Sequence, residues 1–187
     1  MSVFVFSGQN NLDEMTDRSI LLTSFVREFG LLLILLPLSL DNSPEKRRKL
    51  GWIKPKLSDL PQLFLLVIST LLLASLFSLP NSITGSDLGL LDTALLTLSL
   101  VLASITEEIF FRSWILSTLI ASGVPHVFTV FISITAFASI HLWQGLHGVV
   151  VAAIVGWLYA LFFVYRPSLI ILIVAHAIHN IVALLYH

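Results

Sequence analysis

The chain has 187 residues, of which 57% are hydrophobic and 11% charged, with a mean hydropathy of +0.96 and a formal net charge of -1. A soluble domain carries about 25% charged residues, so this composition excludes an ordinary soluble fold, and the near-neutral balance gives nucleic-acid binding no support. The lack of cysteine removes disulfides, thiolate metal sites and cysteine nucleophiles together.

Residues 1–18 read as a short polar surface segment. Its acids, Asp13, Glu14 and Asp17, have no basic residue before them, unlike the positive start of a cleavable signal peptide. Ile20 to Leu40 is the first apolar stretch, near the ~20 residues that a span needs. Arg27 and Glu28 interrupt it and Pro37 should bend it, so it either spans with those charges turned inward or lies partly in the interface. Asp41 to Leu60 is a polar loop holding Lys46, Arg47, Arg48, Lys49, Lys54 and Lys56, which the positive-inside rule places in the cytoplasm. Trp52 within it suits an interfacial anchor.

Gln62 to Leu79 is an uninterrupted span, and the loop from Pro80 to Asp87 lacks Lys and Arg, as expected of the outer side. Leu88 to Ala121 then reads as one helix of ~50 Å, longer than the hydrocarbon layer, which must tilt or project. Ser122-Gly123-Val124-Pro125 stops it. Val127 to Trp143 is a fourth span with His141 near its outer end, and Gln144-Gly145 turns the chain. In the fifth, Gly148 to Val164, the small residues Gly148, Ala152, Gly156 and Ala160 form a stripe that lets another helix approach. Arg166-Pro167-Ser168 is an inner turn, and Leu169 to Tyr186 is the sixth span, with no soluble domain expected after it. The expected fold is therefore all-α, a polytopic transmembrane bundle of about six spans. It divides into 1–60, with the first apolar helix and the basic loop, and 61–187, the bundle that holds the polar residues.

Within that bundle few strongly polar groups remain: Glu107, Glu108, Arg112, His141, His176, His179 and Asn180. Each charge at bilayer depth costs roughly 2.5–3.5 kcal/mol on insertion scales, so three of them within residues 107–112 require a cause. Glu108 and Arg112 are spaced to pair on one helical face, while Glu107 points about 100° away and suits a general base. His176 and Asn180 share a face, as do Phe137 and His141. Buried polar groups need partners, and one shared cavity supplies them most economically. Carboxylate and imidazoles permit two chemistries. Glu107 takes a proton from water, or Glu107, His141 and His176 hold a divalent metal such as zinc that activates it. No His-Glu-x-x-His or Gly-x-Ser-x-Gly pattern is present, so a hydrolase here would be glutamate-based.

Three motifs stand in order: Glu107-Glu108-Ile-Phe-Phe-Arg112, Phe137-Ala-Ser-Ile-His141 and His176-Ala-Ile-His-Asn180. Together they resemble those of the CAAX prenyl protease and bacteriocin-processing membrane proteases, over about residues 101–186. Relatives often carry Gly where this chain has Ser113. The resemblance implies a CAAX prenyl protease-like core and an intramembrane endopeptidase. It also implies that Glu107, helped by His141, activates water, and that His176 and Asn180 steady the oxyanion. Glu108 and Arg112 would hold the first motif or orient the substrate, and His179 lies outside the pattern. No cofactor is required by that mechanism. The expected partners are the bilayer and a membrane-associated protein substrate with a prenylated or membrane-spanning C-terminal tail. The location would be multi-pass in a membrane, the plasma (inner) membrane if the source is prokaryotic. Two other readings use the same residues: a non-catalytic immunity or scaffold protein of this fold, and a small transporter or proton relay.

Overall fold

The structure, a computed structural model, describes residues 18–40, 43–76 and 89–186. The expectations for the N-terminal segment and for the loop between residues 80 and 87 therefore lie outside the described residues. Among the described residues every regular element is helical. The helices are α1 (Arg18–Ser39), α2 (Pro44–Lys49), α3 (Leu60–Leu76), α4 (Leu90–Glu108), α5 (Ser117–Ala121), α6 (His126–Ser139), α7 (Gly145–Tyr165) and α8 (Leu169–Tyr186). A π-helical run, Ile109–Leu116, joins α4 to α5. Single 3-10 turns, Leu57–Asp59 and Leu142–Gln144, precede α3 and α7.

Three helical runs are long and apolar enough to cross a membrane: Ser19–Ser39, Leu90–Ala121 and Leu142–Tyr165. Three shorter apolar helices complete the bundle: Leu57–Leu73, His126–Ser139 and Leu169–Ala183. The α4–α5 run is central, with 56% of its most apolar window buried, whereas α1 is peripheral at 17%. Side chains such as Leu33, Ile34, Phe64, Val127 and Phe131 are exposed. They face outward because lipid, unlike water, accepts apolar surface at no penalty.

The first apolar stretch is a continuous helix with Pro37 in its last turn. Its acid takes the inward option: Glu28 is 1% exposed, and the partly exposed Arg27 binds it through Nε at 3.0 Å and Nη2 at 2.9 Å. Leu21 packs with Leu96 and Leu100, and Glu28 meets Thr106 further along both helices. Hence α1 and α4 run in the same direction, as alternating crossings by α1, α3 and α4 require.

One end of the bundle is tied by backbone and side chains of the basic loop. The Ser117 hydroxyl donates to the Lys49 carbonyl at 3.0 Å, and the Leu169 N–H to the Gly51 carbonyl at 2.8 Å. Gly51 has φ 84, and a Cβ there would stand 2.6 Å from Phe163, so only glycine fits. Trp52, expected as an interfacial anchor, donates its indole N–H to the Ser39 carbonyl at 2.9 Å, capping the orphan end of α1. Arg166 pairs with buried Asp59. These contacts place the basic loop, the start of α5 and the α7–α8 turn together. On the exposed α2, Lys49 sits 2.9 Å from Glu45 and holds that carboxyl below its ordinary range.

The run expected as one regular helix is regular only to Glu108. From Ile109 to Leu116 it widens, and Ile109, Phe111, Arg112, Ser113 and Leu116 are all buried. A π turn closes on i→i+5 hydrogen bonds, so adjacent residues can face the core across a broader sector. Hydroxyl groups meet two of its carbonyls: Ser133 Oγ donates to Phe111 at 3.4 Å, and the Ser117 hydroxyl that donates to Lys49 also lies 3.2 Å from the Arg112 carbonyl.

The fourth span is also shorter than expected. Helix α6 ends at Ser139, and His141 lies in the turn beyond it, not on the helix. Its 14 residues rise about 21 Å. The small-residue stripe on α7 serves two purposes. Gly156 accepts Phe137 of α6, whose Cδ1 would be 2.9 Å from a Cβ there, whereas Gly148 makes room for Gln144 of the preceding turn.

Candidate active site

The acids of the first motif end α4, where the helix passes from α to π. Glu107 is 5% exposed and Glu108 0%; His141, His176 and Asn180 are 4%, 3% and 8% exposed. Helix α8 presents His176 to both acids. Its Nδ1 lies 2.9 Å from Glu108 Oε1, and its Nε2 lies 3.7 Å from Glu107 Oε2. A carboxylate only accepts, so Nδ1 is the donor of the Glu108 bond and Nε2 is the nitrogen left facing Glu107.

Arg112 stands behind Glu108, with Nε 3.3 Å from Glu108 Oε2, and both side chains are wholly buried. Nη2 donates to the Gly156 carbonyl at 3.3 Å, and Nη1 has no hydrogen-bond partner. Ring faces supply the rest of its surroundings. The guanidinium carbon is 4.7 Å from the Phe137 centroid, 5.6 Å from that of Tyr159 and 6.0 Å from that of Phe111. Such cation–π contacts strengthen when water is excluded.

His141 joins the cluster through Phe137. Its Nδ1–H donates to the Phe137 carbonyl at 2.8 Å, the only role open to a nitrogen facing a carbonyl, which leaves Nε2 as the basic nitrogen. The Phe137 ring lies 4.9 Å from the His141 ring and 6.2 Å from that of His176. Asn180 donates through Nδ2 to Ser104 Oγ at 3.0 Å, one turn before Glu108 on α4. Its amide keeps a second N–H. Ser113, where relatives often have Gly, is fully buried, and its hydroxyl has no hydrogen-bond partner. His179 is half-buried.

Of the residues expected to meet, Glu107, Glu108, Arg112 and His176 form one contact chain, His141 adjoins it across Phe137, and Asn180 is fixed to the same helix as the acids. Two contributors had no motif to mark them. Tyr159, wholly buried on α7, sets its ring 5.5 Å from that of His176. Glu28 of α1 accepts from Thr106, the residue before Glu107. Its only sequence signal was a charge in an apolar run. Among the described residues no group of three or more His, Cys, Asp or Glu is gathered closely enough to hold a metal ion.

Gly156 tests the packing of this site. A methyl group at position 156 pushes on Phe137, which carries both imidazoles, and lies beside the carbonyl that holds Arg112. Gly156→Ala is expected to lower the activity of the site about 10-fold or more through misplacement alone. Rates measured beside thermal midpoints in detergent check it, and an unchanged rate would show that the site tolerates a displaced Phe137.

An all-helical bundle of membrane-crossing apolarity, with acids and imidazoles gathered at its centre, defines an integral-membrane protein whose polar site is sunk among its helices. The family model described as type II CAAX prenyl endopeptidase Rce1-like matches residues 89–182, just over half of the 187-residue chain. The chain belongs to that family of CAAX-type membrane proteases. No curated protein matches it, and no solved structure does.

Proposed function

We propose that this protein is a glutamate-type intramembrane endopeptidase. It hydrolyses a peptide bond near the membrane-associated C-terminal tail of a protein substrate. The observation that carries this reading is His176 set between two carboxylates, with Nδ1 at 2.9 Å from Glu108 and Nε2 at 3.7 Å from Glu107.

In this mechanism Glu107 takes a proton from water, and Nε2 of His141 accepts a hydrogen bond from the same water. The hydroxide adds to the scissile carbonyl carbon. The carbonyl oxygen becomes negative and is met by the second N–H of Asn180, and by Nε2–H of His176 when that ring is imidazolium, with Nδ1–H kept on Glu108. The proton on Glu107 passes to the departing amine as the C–N bond breaks. Glu108 keeps the His176 ring in register, and Arg112 pairs with Glu108 from behind. Thus Glu107, His141, His176 and Asn180 act on the reacting atoms, and Glu108 and Arg112 support them. The basic loop faces the cytoplasm in this reading, and cleavage occurs towards that side.

The test is direct. The purified protein in bicelles is given two peptides, one with a prenylated CAAX-like end and one with an apolar helical tail. Products are mapped by mass spectrometry, with the Glu107→Gln protein as blank. An internal cut in either peptide that the blank lacks supports the reading, and which peptide is cut assigns the tail. No cut in either, or equal cutting by the blank, sinks it. Because the side chains carry the water chemistry, treatment with a zinc chelator is expected to leave the rate unchanged. Loss of activity that added zinc restores would move Glu107, His141 and His176 into the role of ligands.

A further inference from the structure

We propose that Glu28 is a positioning residue for the reaction, the contact by which α1 sets the angle of the acid-bearing helix. The inference rests on the reading of Glu107 as the reacting acid. Glu28 lies outside the residues that the family model matches.

Glu28 is 1% exposed in the middle of a helix that is otherwise largely turned to lipid. A charge so placed needs partners on both oxygens, and it has them. Oε1 accepts from Arg27 Nε and Nη2 at 3.0 and 2.9 Å. Oε2 accepts from the Thr106 hydroxyl at 2.9 Å, across 78 residues of chain. Arg27 pairs with the carboxyl while its own side chain stays 34% exposed, so the pair reaches the edge of the bundle.

The location of the far end gives this contact its meaning. Thr106 immediately precedes Glu107 and Glu108, and the helix leaves α geometry at Ile109. Around a π segment the backbone hydrogen bonds do not hold the register as a regular helix does. The Thr106 hydroxyl also lies 3.0 Å from the Ala103 carbonyl within its own turn, but it carries a single proton, and an ionised carboxylate is the stronger acceptor. Glu28 therefore draws Thr106 outward, away from the imidazoles, and the next two residues turn their acids inward to His176. Glu28 touches no reacting atom. It fixes the rotation from which Glu107 Oε2 comes to 3.7 Å from His176 Nε2.

The experiment compares Glu28→Leu, Glu28→Gln, Thr106→Val and the Glu28→Leu/Thr106→Val double variant, with Glu107→Gln as control, on the peptide that the wild type cleaves. Glu28→Leu and Thr106→Val are each expected to lower kcat about 10- to 100-fold, the scale of a displacement near 1 Å, with KM within about two-fold. Glu28→Gln keeps an oxygen for Thr106 and should restore most of kcat. The double variant should be no slower than the worse single one, because both substitutions break the same contact. A general loss of packing would instead multiply the two effects and spare neither parameter. Should Glu28→Leu fail to fold, Thr106→Val and Glu28→Gln decide alone. Wild-type kcat in Thr106→Val, or a Glu28→Gln as slow as Thr106→Val, overturns the inference. If Glu107→Gln is inactive while these variants are normal, only the role of Glu28 falls. If Glu107→Gln is active, the reading of the site falls with it.

Discussion

Glu107→Gln is expected to abolish measurable cleavage, with a fall in kcat of about 10²- to 10⁴-fold and little change in thermal midpoint. The two side chains have the same shape, so the nearly closed space beside His176 Nε2 stays filled. What changes is basicity: an amide cannot take the proton of water. The measurement is single-turnover cleavage in detergent beside a melting curve. A Glu107→Gln protein that folds and cleaves at the wild-type rate would show that the acid of the first motif is structural. A protein that unfolds earlier would show that its charge helps to hold His176.

Breaking the Glu108–Arg112 pair is expected to have the other large effect, this time on stability. Both ions are wholly enclosed, so removing one leaves the other charged with nothing to balance it. Loss of one partner of such a pair destabilises by about 3–5 kcal/mol. Glu108→Leu, which strands a guanidinium ringed by Phe137, Tyr159 and Phe111, should therefore melt far earlier than wild type. In the Glu108→Leu/Arg112→Leu double variant neither charge is left, and most of the stability should return. Activity should not return, because His176 Nδ1 has lost the carboxylate that orients the ring. Thermal unfolding and cleavage of the three variants separate the two roles. A double variant no more stable than Glu108→Leu would mean that the pair is not the source of the loss.

The motif residues were legible in the sequence because the chain is so apolar. When 57% of residues are hydrophobic, each charge inside a span stands out, and only a few groups can satisfy one another. That logic gathered Glu107, Glu108, Arg112, His141, His176, His179 and Asn180 from three expected helices into one cavity before any coordinate, though His141 proves to lie in the turn after α6 and His179 is half-buried. What escaped it was local geometry. Ile109 to Leu116 has the same apolar pattern in a π turn as in an α turn, so nothing in it announces the wider coil. The end of α6 at Ser139 was hidden for a similar reason: Ile140, Leu142 and Trp143 continue the hydrophobic run although the backbone has already turned. Glu28 was visible as an anomaly, but its partner lies 78 residues away, and no short-range rule connects them. The small-residue stripe foretold the close approach at Gly156 and not the use of Gly148, which depends on how Gln144 folds back.

The brevity of α6 carries a consequence for the surrounding lipid. A rod of about 21 Å is some 9 Å too short for a hydrocarbon layer of about 30 Å. The layer must pinch or its headgroups must sag to meet the rod's tip. That tip carries His141, with the exposed rings and chains of Trp143 and Leu142 just outside it. A layer thinned at that tip would bring solvent nearest to His141, at the end of the bundle opposite the basic loop. Acyl-chain length in the host membrane is then expected to change hydration of the centre without altering any side chain.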